Sequence, residues 1–286
     1  MNQPTFLTVK DHSVSGEIFE LKHDVALDML ITNPQPAPSD LPRYYESDDY
    51  ISHTDGKRSL FENAYHLVKN IALANKTRLL SSLQPGKGRL LDIGAGTGDF
   101  LLAAKKSGWE ILGTEPSGKA RGIAESKGVS FAEQLSDLPD HSFDAITMWH
   151  VLEHVPDLDH QIGELKRLLK PTGIILIAVP NFRSFDAQHY GAFWAAYDVP
   201  RHLWHFSKTA IGKLFARRDF ELQHVLPMKF DAFYVALLSE KYQSGRMNFL
   251  RAFWVGWRSN SRARTTGEYS SHIYVIKNAN SRLNNA

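Results

Sequence analysis

Cysteine is absent from the whole chain of 286 residues. That excludes disulfides, a thiolate nucleophile and any metal site built on cysteine sulfur. Long apolar runs are missing as well, and none approaches the ~18 residues that a membrane-crossing helix needs. Met1-Asn2-Gln3-Pro4 has neither the basic start nor the apolar core of an export signal, so a cytoplasmic protein is expected. Nor is there an excess of either charge: 33 lysines and arginines stand against 31 acids, a net of +2. So balanced a charge gives no reason to expect a polyanion, and no nucleic-acid partner is expected. Internal repeats and low-complexity tracts are also lacking. What the chain does have is 43% apolar residues, enough for one substantial core with additions.

That core is organised around Leu90-Leu91-Asp92-Ile93-Gly94-Ala95-Gly96-Thr97-Gly98-Asp99-Phe100-Leu101. The apolar run 89–93 reads as a buried parallel strand, and 100–106 as the opening of a helix. Glycines at the bend let the backbone turn tightly and let a ligand approach. The spacing is Gly-x-Gly-x-Gly behind Asp92, whereas a dinucleotide binder would show Gly-x-Gly-x-x-Gly and bare N–H groups for the diphosphate. Asp92 and Asp99 would repel a diphosphate and suit a cationic ligand with an amino group. Glu115 closes the next apolar run, Ile111-Leu112-Gly113-Thr114. An acid there can accept both hydroxyls of a ribose, as an adenosine site requires.

At these residues, from about Leu79 to Asn181, the chain resembles the class I S-adenosylmethionine-dependent methyltransferases. The resemblance implies S-adenosyl-L-methionine as cofactor and S-adenosyl-L-homocysteine as product. The loop Asp92, Gly94, Ala95, Gly96 and Gly98 would hold the methionine part, and Glu115, followed by Pro116, the ribose. Glu133 and Gln134, after a short third strand at 129–132, would reach the adenine. Trp149 and His150, delivered by the strand at 142–148, would lie beside the cofactor, and Leu152-Glu153-His154-Val155 is similar to the family's own stretch there. The implied fold is α/β, a Rossmann-like, doubly wound seven-stranded sheet of order 3-2-1-4-5-7-6 with the last strand antiparallel. Right-handed strand–helix–strand crossovers lead to the same open sheet.

Around that domain the chain divides into further pieces. Residues 1–40 read as a small antiparallel β leader, ending in a proline-rich extended stretch. The leader resembles the zinc-ribbon piece of some bacterial methyltransferases, but Lys22-His23-Asp24-Val25-Ala26-Leu27 stands where a cysteine pair belongs, so no metal is expected. Residues 41–84 read as a cofactor-covering loop and lid helix. The resemblance implies that Tyr45 or Tyr50 touches the cofactor; a capping box at Ser59 starts the helix, and Gln84-Pro85-Gly86 stops it. The domain itself spans 85–278, with insertions at 182–206 and 230–266, and 279–286 is a polar tail.

Both insertions carry unexpected chemistry. Asp198-Val199-Pro200-Arg201-His202-Leu203-Trp204-His205 leaves the carboxyl edge of the fifth strand, where substrates bind in such sheets. His202 and His205, with His150, are the candidate catalytic bases, imidazole being suited to proton transfer near neutral pH. The structural alternative has Arg201 pairing Asp198 and the histidines held by backbone carbonyls. In the second insertion Phe249, Phe253 and Trp257 share a helical face with Arg246, Arg251 and Arg258 around it. A helical cover on the active site is expected, with peripheral membrane contact through 246–258 as the alternative.

The function expected is methyl transfer to a small-molecule or lipid-linked acceptor, a hydroxyl if a histidine acts as base. Two other readings stand beside it. A non-catalytic nucleoside-binding module would keep the fold without turnover, and a nicotinamide-dependent dehydrogenase is opposed by Asp92 and the glycine spacing.

Overall fold

Alternating apolar and polar residues build β1 (Thr5–Lys10), β2 (Ile18–Asp24) and β3 (Met29–Asn33), which pair antiparallel in sequence order. The computed structural model describes residues 3–45 and 60–279, with side chains of the first helix described from residue 68. Tyr50, the Ser59 cap and the tail beyond 279 therefore lie outside the described residues. Asp11 closes the β1–β2 turn, its carboxylate accepting from the N–H groups of Ser13, Val14 and Ser15.

The chain then alternates as a doubly wound domain does. Helix α1 (Leu60–Leu83) ends at the Pro-Gly stop and precedes β4 (Arg89–Ile93), α2 (Asp99–Lys106), β5 (Glu110–Thr114) and α3 (Gly118–Ser126). There follow β6 (Phe143–Trp149), α4 (Leu158–Leu168), β7 (Leu169–Pro180) and α5 (Phe185–Tyr190). The last elements are β8 (Trp204–His205), α6 (Lys208–Ala216), β9 (Phe220–Pro227), α7 (Asp231–Ser244), α8 (Phe249–Thr266) and β10 (Ser271–Asn278).

The main sheet runs β5-β4-β6-β7-β10-β9. Its first four strands are parallel, and β10 is antiparallel to both neighbours. It has six strands where seven were expected. The stretch at 129–132 makes a single parallel bridge, Phe131 to Gly113. The Phe131 ring fills the space over Gly113, where a Cβ would come within 2.8 Å of it, and the chain then turns into the 3-10 turn Leu135–Asp137.

The first insertion also departs from expectation. Its β8 pairs with β3, His205 opposite Leu30 and Trp204 opposite Ile31, and completes a second sheet of order β1-β2-β3-β8. The leader is thus stitched to the main domain by main-chain hydrogen bonds. Because β4, β5 and β6 run parallel, their carboxyl ends bring the glycine loop, Glu115 and Trp149-His150 to one edge.

Candidate functional site

The loop after β4 can turn only because of its glycines. Gly94 has φ +71°, and a Cβ there would lie 2.5 Å from Val151 Cγ2. Gly96 has φ +53°, yet no atom lies within 4 Å of where its Cβ would be. The open space over Gly96 lets a ligand approach the backbone closely, while the Gly94, Ala95 and Gly98 N–H groups are bonded to main-chain carbonyls.

Two acids flank this opening. Asp92 is buried in β4, where Thr147 Oγ1 donates to it at 2.6 Å. Burial lifts its pKa to about 7, against the Thr147 hydrogen bond and the Lys76 charge. Glu115 Oε2 accepts from the Gly96 N–H at 2.8 Å, and Oε1 from the Ser117 N–H at 2.9 Å. A carboxylate offers about four acceptor positions, so capacity for two hydroxyls remains.

A cation already stands at this edge. Lys76, on α1, holds its ammonium 4.2 Å from the centre of the Trp149 ring. Burial lowers its pKa, and the charges of Asp231 and Asp92 oppose that. Phe100 meets the same indole edge-on at 5.2 Å, and the indole Nε1 has no partner among the described residues. The sequence held one signal for Lys76: it continues the apolar helical spacing of Val68 and Ala72, where a lysine is out of place.

His150 follows in the left-handed region, φ +59°. Its Nε2 lies 3.0 Å from Asp231 Oδ2, at the start of α7, and its Nδ1 3.3 Å from Glu153 Oε1. Burial alone would lower its pKa, but the two carboxylates outweigh burial and hold it up at about 10. Glu153 and Asp231 are both pulled down by the imidazolium despite their own burial. At neutral pH the three therefore form one unit of net charge −1. Sequence reasoning missed Asp231, more than 80 residues from His150, since an acid opening a helix is ordinary.

The histidines of the first insertion lie elsewhere. His205 is buried in β8 and donates from Nε2 to Thr32 Oγ1 at 3.0 Å, while Thr32 donates to the His202 carbonyl. His202 donates from Nδ1 to the Ala196 carbonyl at 2.9 Å. Arg201 lies between Asp11 and Asp198, at 2.8 Å from each, and also donates to the Tyr44 carbonyl at 2.7 Å. This is the arrangement of the structural alternative, with Thr32 in place of one carbonyl: the stretch clasps the leader to the domain. Only His202 turns toward the β6 end, its ring meeting that of His154 edge-on at 4.6 Å.

His154 donates from Nδ1 to the Arg201 carbonyl, and Tyr45 Oη lies 3.2 Å from the same nitrogen. Burial and the neighbouring His202 push its pKa down to about 4, so it is neutral. Tyr45 thus reaches the loop after β6. Glu133 does not reach inward: it is exposed and paired with Arg121 at 2.7 Å, and Gln134 is exposed beside it. Pro116 is likewise exposed, and Gly98 serves to pass close to Ala124 and Val129.

Among the described residues, Glu153, His154 and His202 are the one group whose ligand atoms lie together within 4.8 Å. Glu153 already serves His150, and both Nδ1 atoms are committed to carbonyls. The leader lacks thiolates and Glu153 is engaged by His150, so elemental analysis of the purified protein is expected to find zinc, iron and magnesium far below one equivalent, with the melting temperature unmoved by chelator. One tightly held equivalent would assign a cation to this trio.

Residues 65–225 match a family described as a methyltransferase domain. The ubiquinone biosynthesis O-methyltransferase of Actinobacillus pleuropneumoniae serotype 7 is 31% identical over 160 residues, 49% of this chain and 68% of that one. The protein of that name from Rhodopseudomonas palustris is 32% identical over 132 residues, 41% of this chain and 51% of that one. The chain thus spans 68% of the first of these relatives and 51% of the second. Among solved structures, an S-adenosylmethionine-dependent methyltransferase from Thermotoga maritima is similar in fold, with a TM-score of 0.51 and 22% identity over 77% of this chain and 96% of that one. Magnesium protoporphyrin IX methyltransferase from Synechocystis, solved with S-adenosylhomocysteine, has a TM-score of 0.52 and 14% identity over 83% of this chain and 92% of that one.

Proposed function

This chain belongs to the class I S-adenosylmethionine-dependent methyltransferases, and we propose that it methylates a hydroxyl of a small-molecule or lipid-linked acceptor lying against His150. The observation that carries the site is the Lys76 ammonium on the Trp149 ring, a cation of the chain's own standing where the glycine loop opens. S-adenosylmethionine, when bound, supplies an electrophilic methyl on a positively charged sulfur. The residues present fit that charge: Asp92 and Asp231 are acids facing one cation, and Trp149 offers it a π face.

The roles follow from these positions. Glu115 takes the ribose hydroxyls, the open side of the glycine loop at Gly96 the methionine part, and Asp92 the amino group. Lys76 withdraws when the cofactor enters. Tyr45 and α1 cover the site and exclude water, which leaves alignment as the main work of catalysis. His150, once it has lost the proton it carries at neutral pH, accepts the acceptor's proton, with Asp231 and Glu153 orienting its ring and raising its basicity. The O-methyltransferase names of the relatives agree with a hydroxyl acceptor.

Titration calorimetry tests the cofactor half. S-adenosylmethionine and S-adenosylhomocysteine are expected to bind and NAD to give no heat. Glu115→Ala is expected to weaken the cofactor by about 2–3 kcal/mol, the loss of charged hydrogen bonds. Unchanged affinity in that variant would remove Glu115 from the site, and heat with NAD alone would overturn the reading.

A further inference from the structure

Helix α8 is packed the wrong way round for a helix of a water-soluble surface. Its inward face is made of small residues: Ala252, Val255, Gly256, Ser259 and Ala263 are buried. Ser259 fixes that face, donating at 2.6 Å to the buried Asp186. A Cβ on Gly256 would fall 3.0 Å from the Phe233 backbone, so α7 and α8 touch closely there. The large apolar side chains all point the other way. Leu250 is 86% exposed, Phe253 63%, Trp257 56% and Trp254 46%. The aromatic stripe that sequence spacing suggested as a cover on the active site faces solvent instead.

Leaving so much contiguous apolar surface in water is costly, and such patches mark interaction sites. The charge around this one identifies the partner. Between Arg246 and Gly267 there are five arginines and no acid. Arg258 and Arg262 sit beside the apolar arc, stacked on Trp254 and Phe185, and Arg246 and Arg264 lie toward its two ends. Of the five, Arg251 alone pairs with a carboxylate among the described residues, Glu240 at 3.1 Å. An aromatic face bordered by arginines, on a helix that crosses nothing, has the make-up of a helix lying in a bilayer interface. No helix among the described residues is long and apolar enough to span one.

We propose that the outward face of α8 docks this protein on an anionic phospholipid surface, with Leu250, Phe253, Trp254 and Trp257 entering the acyl boundary and the arginines meeting phosphate headgroups. The proposal rests on this surface and not on the reading of methyl transfer, and its test has no activity readout. The whole protein is floated with vesicles of pure phosphatidylcholine and with equimolar phosphatidylcholine and phosphatidylglycerol. Partition to the anionic vesicles is expected to exceed that to neutral ones by at least about tenfold and to fall as salt is raised. Leu250→Ser with Trp257→Ser is expected to reduce it at least about tenfold with the melting temperature preserved, since both side chains already lie in water. If that pair unfolds, Arg246→Gln with Arg264→Gln gives the same comparison. Absence of binding to the anionic vesicles overturns the proposal, as does equal binding by a folded variant. Self-association that the Leu250/Trp257 pair abolishes, without vesicle binding, would instead give the face to a second copy of the chain.

Discussion

Replacing His150 with alanine is expected to lower turnover by about 10²–10⁴-fold while cofactor affinity stays within a few-fold, the range for loss of a general base. The geometry makes a sharper demand than the size of that loss. Two carboxylates hold the imidazole pKa at about 10, so the reactive neutral form is scarce at neutral pH. If His150 is the base, kcat/KM rises with pH towards that value in the wild type. Asp231→Asn removes one of the two anions and is expected to move the rising limb down by about a unit or more. A merely structural His150 would change the melting temperature and leave the limb where it was. The same pKa shift stabilises the fold. The charged form is preferred in the native state, so the contribution is complete below the unfolded value near 6.5 and is lost as pH rises through about 10. Thermal melts of wild type and His150→Asn across that alkaline range are expected to converge.

The parts of this site legible in the sequence are those where chemistry and chain direction coincide. Asp92, the glycines and Glu115 end parallel strands, so their order along the chain gives their place in space. The strand at 142–148 delivered Trp149 and His150 for the same reason. What could not be read was the company these residues keep. Lys76 and Asp231 arrive from α1 and α7, far from β6 in the chain, and no local pattern ties either one to Trp149 or His150. The third strand shrinks to a single bridge at Gly113, with the Phe131 ring over that glycine, and alternation does not reveal so short a pairing. In α8 the helical period was read correctly and its direction was not. Spacing identifies a stripe, but only the small residues opposite, Ala252, Gly256, Ser259 and Ala263, show which side was packed.

The dense chemistry of Asp198–His205 was the hardest to assign, and Arg201 decides it. Replacing Arg201 with methionine is expected to destabilise the protein by about 3–5 kcal/mol, because one buried partner of an ion pair is removed and the other stays. In a domain of this size that corresponds to a fall in melting temperature of roughly 6–20 °C. Arg201 is 2% exposed and serves Asp11 in the leader, Asp198 in its own turn and the Tyr44 carbonyl at the start of the covering segment. Its two carboxylates are held well below their usual range by it, although burial acts the other way. Lysine cannot restore the fork that spans three acceptors, so Arg201→Lys is expected to recover little. Adding Asp11→Asn to Arg201→Met removes one of the two stranded charges and is expected to regain part of the loss. If the stretch is a clasp, His202→Ala and His205→Ala follow the same pattern: lower melting temperatures, with kcat retained in the folded fraction at low temperature. A loss of about 10²-fold or more in kcat for either, with an unchanged melting temperature, would instead return that histidine to the reacting centre.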